Sequence, residues 1–245
     1  MTKYKARLLA SVSMVALLTV PAMASSSGSF AGVSFDHNCV INSGTGVLSS
    51  TSGGNTATSF PITAGTINFK VSAGAGTTLV ITPSAVVGLY TDNKITKTSS
   101  SSIADEGVQV EVIVKPPAGV AIGTASGDLQ IAPSLPKVCS STTAAESCVT
   151  YDQRFIEIKS NTLQKLAATT GNQTAFELIE STLSAHAFNF YTNVPVTGTY
   201  DVTVKANLFV NHTVGPATVA ACFGPATVTV EQAKNFSFNG AQLNF

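Results

Sequence analysis

From Tyr200 onward the chain alternates with almost no break. Tyr200, Val202, Val204, Ala206, Leu208 and Val210 fall on one side, and Asp201, Thr203, Lys205, Asn207 and Asn211 on the other. Successive side chains of a strand point to opposite faces, so this run predicts a long strand with one face in a core and one toward solvent. Val108, Val110, Val112 and Val114 repeat the pattern and are closed by Pro116-Pro117, a pair that cannot continue a central strand. Residues 67–71 and 154–159 are shorter versions, and residues 77–82 form an apolar run that Pro83 should end. Short strands separated by Gly and Pro predict a mainly β chain.

The connections are read from what breaks these patterns. Residues 25–59, rich in Ser, Gly, Thr and Asn, read as a loose lead-in with one or two short strands. The polar stretch 91–107 reads as a long loop, with turns at Asp92-Asn93 and Asp105-Glu106-Gly107, and residues 133–150 as a second loop. Thr174-Ala175-Phe176-Glu177 has the form of a capping box, with Ile179 and Leu183 following at helical spacing. Residues 161–169, with Gly171 behind them, read as another short helix. Residues 161–185 are therefore expected to be a helical insert. Gly-Pro-Ala-Thr-Val occurs at 215–219 and again at 224–228, predicting two turns that each feed a strand. Phe236, Phe238 and Phe245 are expected to help close the core. Together these signals predict one domain over residues 25–245, a β-sandwich with a short helical insertion.

Residues 1–24 are excluded from that domain. Lys3, Lys5 and Arg7 precede an apolar run over residues 8–20, and Pro21-Ala22-Met23-Ala24 ends in the small-x-small form that a signal peptidase cuts. The apolar part is too short to span a bilayer. An exported protein that begins near Ser25 is expected, in the periplasm, at the cell surface or outside the cell. Of the 13 Lys and Arg three leave with the leader, so 10 remain against 13 Asp and Glu, a net of −3. No basic stripe is present to hold a phosphate backbone, which argues against nucleic acid. No later run approaches a membrane-spanning length, so no stable transmembrane anchor is expected.

The four cysteines, Cys39, Cys139, Cys148 and Cys222, are an even set in an exported chain and are expected to form two disulfides. Three pairings are open. The simplest closes the loop between Cys139 and Cys148 and leaves Cys39 with Cys222. In the chain-entropy account the short loop contributes about 2.7 kcal/mol and the long one about 5. Zinc is disfavoured, because C-x8-C has no neighbouring histidine.

Residues 198–206, Gly-Thr-Tyr-Asp-Val-Thr-Val-Lys-Ala, resemble the G-x-Y-x-V-x-V strand near the end of many bacterial immunoglobulin-like modules. The resemblance implies a tyrosine at a sheet corner and valines in the core. Together with residues 185–190 and 227–231, the chain also resembles uncharacterised exported bacterial β proteins. Neither resemblance implies an activity, and the fold expected from it is an immunoglobulin-like β-sandwich.

The search for chemistry returns little. His37 lies in Asp36-His37-Asn38-Cys39, His186 at an expected helix exit, and His212 at the end of the long strand. No two are spaced as metal ligands on one element, and neither H-E-x-x-H, a nucleophile elbow nor a P-loop is present. No catalytic residue, cofactor or metal site is assigned. The function expected is that of a structural or interaction protein, such as an adhesin-like module, matrix component or fibre subunit. Its partner would be a protein or surface polymer, self-association included. A polymerising subunit needs an unpaired sheet edge, and residues 25–59 or the C-terminal strand are the segments available to fill one. Two alternatives are a carbohydrate- or small-ligand-binding module, for which the chain has no Trp platform, and an outer-membrane β-barrel ending at Phe245.

Overall fold

The computed structural model describes residues 30–42, 48–52, 55–56, 61–72, 77–123, 128–133, 144–171 and 174–234. The leader, Cys139 and the three C-terminal phenylalanines lie outside the described residues. In chain order the elements are β1 (Phe30–Phe35), β2 (Asn38–Ile41), β3 (Leu48–Ser52), β4 (Asn55–Thr56), β5 (Ile62–Val71), β6 (Thr77–Thr96) and β7 (Ser101–Lys115). There follow β8 (Ile131–Ala132), β9 (Ala145–Lys159), α1 (Asn161–Thr170), β10 (Thr174–Ala187), β11 (Phe190–Val194), β12 (Gly198–Val214) and β13 (Ala217–Lys234).

Two antiparallel sheets pack face to face as a β-sandwich. One runs β1-β13-β6-β11-β8, with β10 also paired to β6; the other runs β5-β12-β7-β9. Strand β6 has β13 along residues 77–93 on one side, and β11 and then β10 in succession on the other. The alternating sequence runs supply the core. Val108, Val110, Val112 and Val114 of β7 and Tyr200, Val202 and Val204 of β12 are fully buried. They meet Leu79, Ile81, Val87 and Leu89 of β6 with Phe190 and Phe223. Each such side chain contributes about 1.5–3 kcal/mol through burial. The Tyr200 hydroxyl donates to the Val196 carbonyl at 2.9 Å, so the buried ring keeps its polar tip satisfied. The described strands form two open sheets over a filled core, whereas a membrane barrel requires one sheet closed on itself.

A third, small sheet, β2-β3-β4, lies on the outer face of the larger one. Cys39 of β2 is joined to Cys222 of β13, with Cα atoms 5.5 Å apart. Gly88 of β6 stands opposite Cys222. A Cβ there would lie 2.7 Å and 2.9 Å from the two sulfurs and 2.9 Å from Leu183 Cδ2. The bridge occupies the space that a side chain at position 88 would need.

Several sequence expectations are corrected. Only the first half of the 161–185 insert is helical: α1 has Ser160 as N-cap, its side chain accepting from the Leu163 amide, and Gly171 as a left-handed C-cap at φ 75°. Residues 174–187 are a strand paired with residues 84–96 of β6. The Ile179–Leu183 spacing of four suits a helix, but four is even, so it also keeps two side chains on one strand face. Pairing with β6 then decides between the two. Pro83 does not end its strand. It falls where β6 changes partner from β11 to β10, and its carbonyl still accepts from the Phe188 amide at 3.3 Å. The 91–107 loop is instead the ends of β6 and β7 around a short turn, which places Asp92-Asn93 and Asp105-Glu106 inside strands. The second Gly-Pro repeat is a bulge within β13, at the register shift between Phe223 and Ala226. The lead-in carries four strands, β1 to β4.

Candidate functional site

The residues that sequence reasoning singled out are scattered. Cys148 is disulfide-bonded, but it is buried in β9 and not in a surface loop; its expected partner Cys139 lies outside the described residues. His37 stacks flat on Phe35, with ring centroids 4.1 Å apart. His186 belongs to strand β10 and not to a helix exit. His212 sits at the bulge of β12. Among the described residues no three His, Cys, Asp or Glu side chains gather as a metal site. Asp92-Asn93 and Asp105-Glu106, expected as turns, are strand residues of β6 and β7.

Polar groups converge instead where β9 and β10 face each other across the open side of the sandwich. Arg154 of β9 reaches over the gap. Its guanidinium donates to the Glu180 carbonyl at 2.9 Å, the Leu89 carbonyl at 3.4 Å, Thr91 Oγ1 at 3.3 Å and Thr182 Oγ1 at 2.5 Å. It also lies 4.0 Å from the Glu180 carboxylate. Directly opposite Arg154 in the β7–β9 ladder stands Glu106, fully buried between Ala104 and Val108. Neither carboxylate oxygen of Glu106 has a hydrogen-bond partner. Burial pushes its pKa up to about 8, against the opposing pull of Arg154.

A second group lies further along the same seam. Ser184 Oγ donates to Asp152 Oδ2 at 2.9 Å, and His186 Nε2 lies 2.7 Å from Ser184 Oγ. Because the serine proton goes to the carboxylate, the histidine is the donor to Oγ. A nucleophilic serine needs the reverse order, with its proton accepted by histidine and the carboxylate behind that ring. The chain here orients His186 rather than activating Ser184. Tyr151 packs against the imidazole at 5.7 Å, and its hydroxyl donates to the Pro83 carbonyl at 2.7 Å. Burial raises the Tyr151 pKa and keeps the phenol protonated. His186 also lines an open trough of about 470 Å³, with Ser34, Asp36, Ser84 and Thr227 among its walls.

The outer edge of β10 is the third element of this side, and no described strand pairs with it. Phe176, Ile179 and Leu183 along it are 40%, 43% and 41% exposed. Its two carboxylates are exposed but lie near cations: Glu177 is 3.0 Å from Lys94, and Glu180 is 4.0 Å from Arg154. Lys94 also contacts Asp92 at 2.9 Å, and bonds first to Asp92 and then to Glu177 raise its pKa. Sequence reasoning missed this edge because it assigned the segment to a helix. The signal available was the even spacing of Ile179, Ser181 and Leu183.

No family model matches the chain, and no curated protein or solved structure does either. Among the described residues no helix is long and apolar enough to cross a membrane.

Proposed function

We propose that the chain is an exported structural or interaction protein of the periplasm or cell surface. It works by presenting a sheet edge and its flanking faces to a protein or surface-polymer partner, with no catalytic step. The observation that carries this reading is the 14-residue strand β10, which pairs with no described strand on its outer side and carries half-exposed apolar residues. Exposed edges of that length are normally shortened, covered or charged unless something binds them. The Cys39–Cys222 bond and the leader-like start support an oxidising, extracytoplasmic address. The Tyr200 hydroxyl bond supports the immunoglobulin-like comparison.

The address is tested by the N-terminus and thiol state of the protein recovered from expressing cells. A chain beginning near Ser25, without free thiols and labelled by a membrane-impermeant reagent, is expected. A cytosolic protein that retains Met1 and reduced cysteines overturns the proposal.

The mainly apolar trough beside His186, with hydroxyls from Ser34, Ser84 and Thr227 in its walls, favours a second reading, a small-ligand or carbohydrate module. Its walls lack an aromatic platform, so it ranks behind the edge. Glycan-array binding that is lost in His186→Ala would reverse that order.

A further inference from the structure

We propose that the outer face of the larger sheet, where β1, β13, β6 and β11 run side by side, binds a neutral polysaccharide. This inference rests on the interaction role proposed above and names its surface polymer by chemistry.

The strand register builds the face. Ile81, Val228 and Val230 turn into the core, so the residues that alternate with them in β6 and β13 face outward. One row across the four strands reads Phe30, Glu231, Val80 and Tyr191. The next carries Thr229 opposite Thr82, and the Thr82 hydroxyl donates to Asn189 Oδ1 at 2.8 Å, a bond that fixes the amide beside the row. The third places Ser34 opposite Thr227 and Thr227 opposite Ser84, and these three also stand in the wall of the trough beside His186. Phe30 and Tyr191 are 64% and 38% exposed. They stand three strand spacings apart, roughly 14 Å, and the three rows cover about the same length along the strands. That is room for several sugar rings of a chain.

Three arguments select the occupant. Hydroxyls both donate and accept, as the hydroxyls of a sugar do, and rows of them on a rigid sheet cost little to organise. The two aromatic rings offer flat faces, electron-rich at the centre, on which the C–H side of a pyranose packs. Charge then narrows the class. Among the described residues of these four strands, this face has Glu231 and the trough-lining Asp36 as its charged side chains, both acidic, so a sulfated or phosphorylated polymer meets repulsion. A protein partner fits less well, because protein interfaces favour Arg and Met and are depleted in Ser. The outer face of the other sheet shows that this chain can build an ordinary solvated surface: Lys205 stands opposite Glu111, and Asp201 opposite Lys115.

The experiment is electrophoresis of the folded, oxidised chain in native gels that contain hydroxyethyl cellulose, galactomannan, dextran, laminarin or arabinoxylan, with dextran sulfate as the anionic probe. At least one neutral polymer is expected to retard the chain, and dextran sulfate to leave it unretarded. Tyr191→Ala and Phe30→Ala are each expected to raise the dissociation constant by about tenfold or more, and the pair Thr82→Ala and Thr229→Ala to do the same. Lys205→Ala, on the other sheet, and His186→Ala, in the trough, are expected to bind as the parent does. Urea midpoints identify a variant that has lost its fold, and the exposed Phe30 then decides in place of Tyr191. Retardation by none of the neutral polymers, retardation by dextran sulfate alone, or parental binding by both aromatic variants overturns the inference. Binding lost in His186→Ala but kept in Tyr191→Ala overturns it in favour of the trough. Because the gels read purified protein and leave β10 unaltered, failure here leaves the export and edge reading standing. A cytosolic address would in turn leave the binding result intact.

Discussion

Glu106 is a carboxylic acid between two sheets, beside an arginine that is committed elsewhere. Its folded pKa of about 8 lies above the ordinary 4.5, so the folded chain keeps a proton that the unfolded chain releases. Stability therefore falls as pH rises across that interval, and the full contribution of the neutral acid is present below it. Glu106→Gln is expected to change little near pH ~4. At pH ~9 it should raise stability by on the order of 2 kcal/mol, with solvent screening allowed for. Urea midpoints at the two pH values check this; an equal shift at both would remove burial of charge as the cause. Gly88 makes a second prediction at this scale. Gly88→Ala must push against the sulfurs and Leu183, at a cost of roughly 1–3 kcal/mol. In a background with Cys39→Ala and Cys222→Ala the cost should shrink to the share due to Leu183. A double-mutant cycle measures the difference.

At the scale of elements, β10 is held by its ladder with β6 and by side-chain bonds from Arg154 of β9. Arg154→Met keeps the aliphatic stem but deletes the donors to Glu180, Leu89, Thr91 and Thr182. Hydrogen exchange in residues 174–187 is expected to quicken by about tenfold or more, while exchange in β7 and β12 holds. Uniform quickening throughout the sandwich would mean that Arg154 supports the fold as a whole. This same strand shows why part of the molecule was illegible in the sequence. A capping box is a local signal, and Thr174 with Glu177 offers one, yet the partner that overrides it lies about 90 residues upstream in β6. Helix α1 was legible because its caps are its own neighbours. Pro83 misled for a related reason: the gap between β10 and β11 that excuses its missing donor belongs to the topology. The Arg154 cluster escaped notice because its members come from three strands, and no spacing within one segment joins them.

At the scale of the molecule, the period-2 runs at 108–114 and 200–206 were enough to give the class, since a face that alternates so strictly has to be covered by another sheet. The order of strands was not readable, because β6 and β13 pair across more than a hundred residues. Replacing both Cys39 and Cys222 by Ser is expected to lower stability by up to about 5 kcal/mol, the loop-entropy contribution for a separation of 183 residues. It should also expose residues 38–56 to protease before the rest of the sandwich, as mass-mapped cleavage would show. The bridge has a mechanical consequence as well. Tension applied between the two ends of the chain can unzip β1 from β13, but it is then short-circuited through sulfur. The 183 residues inside the bridge add nothing to the extension. Pulled in oxidised form, the molecule can yield β1 and the part of β13 beyond Cys222, core residues Phe223, Val228 and Val230 included, while the strands inside the bridge stay out of the load path.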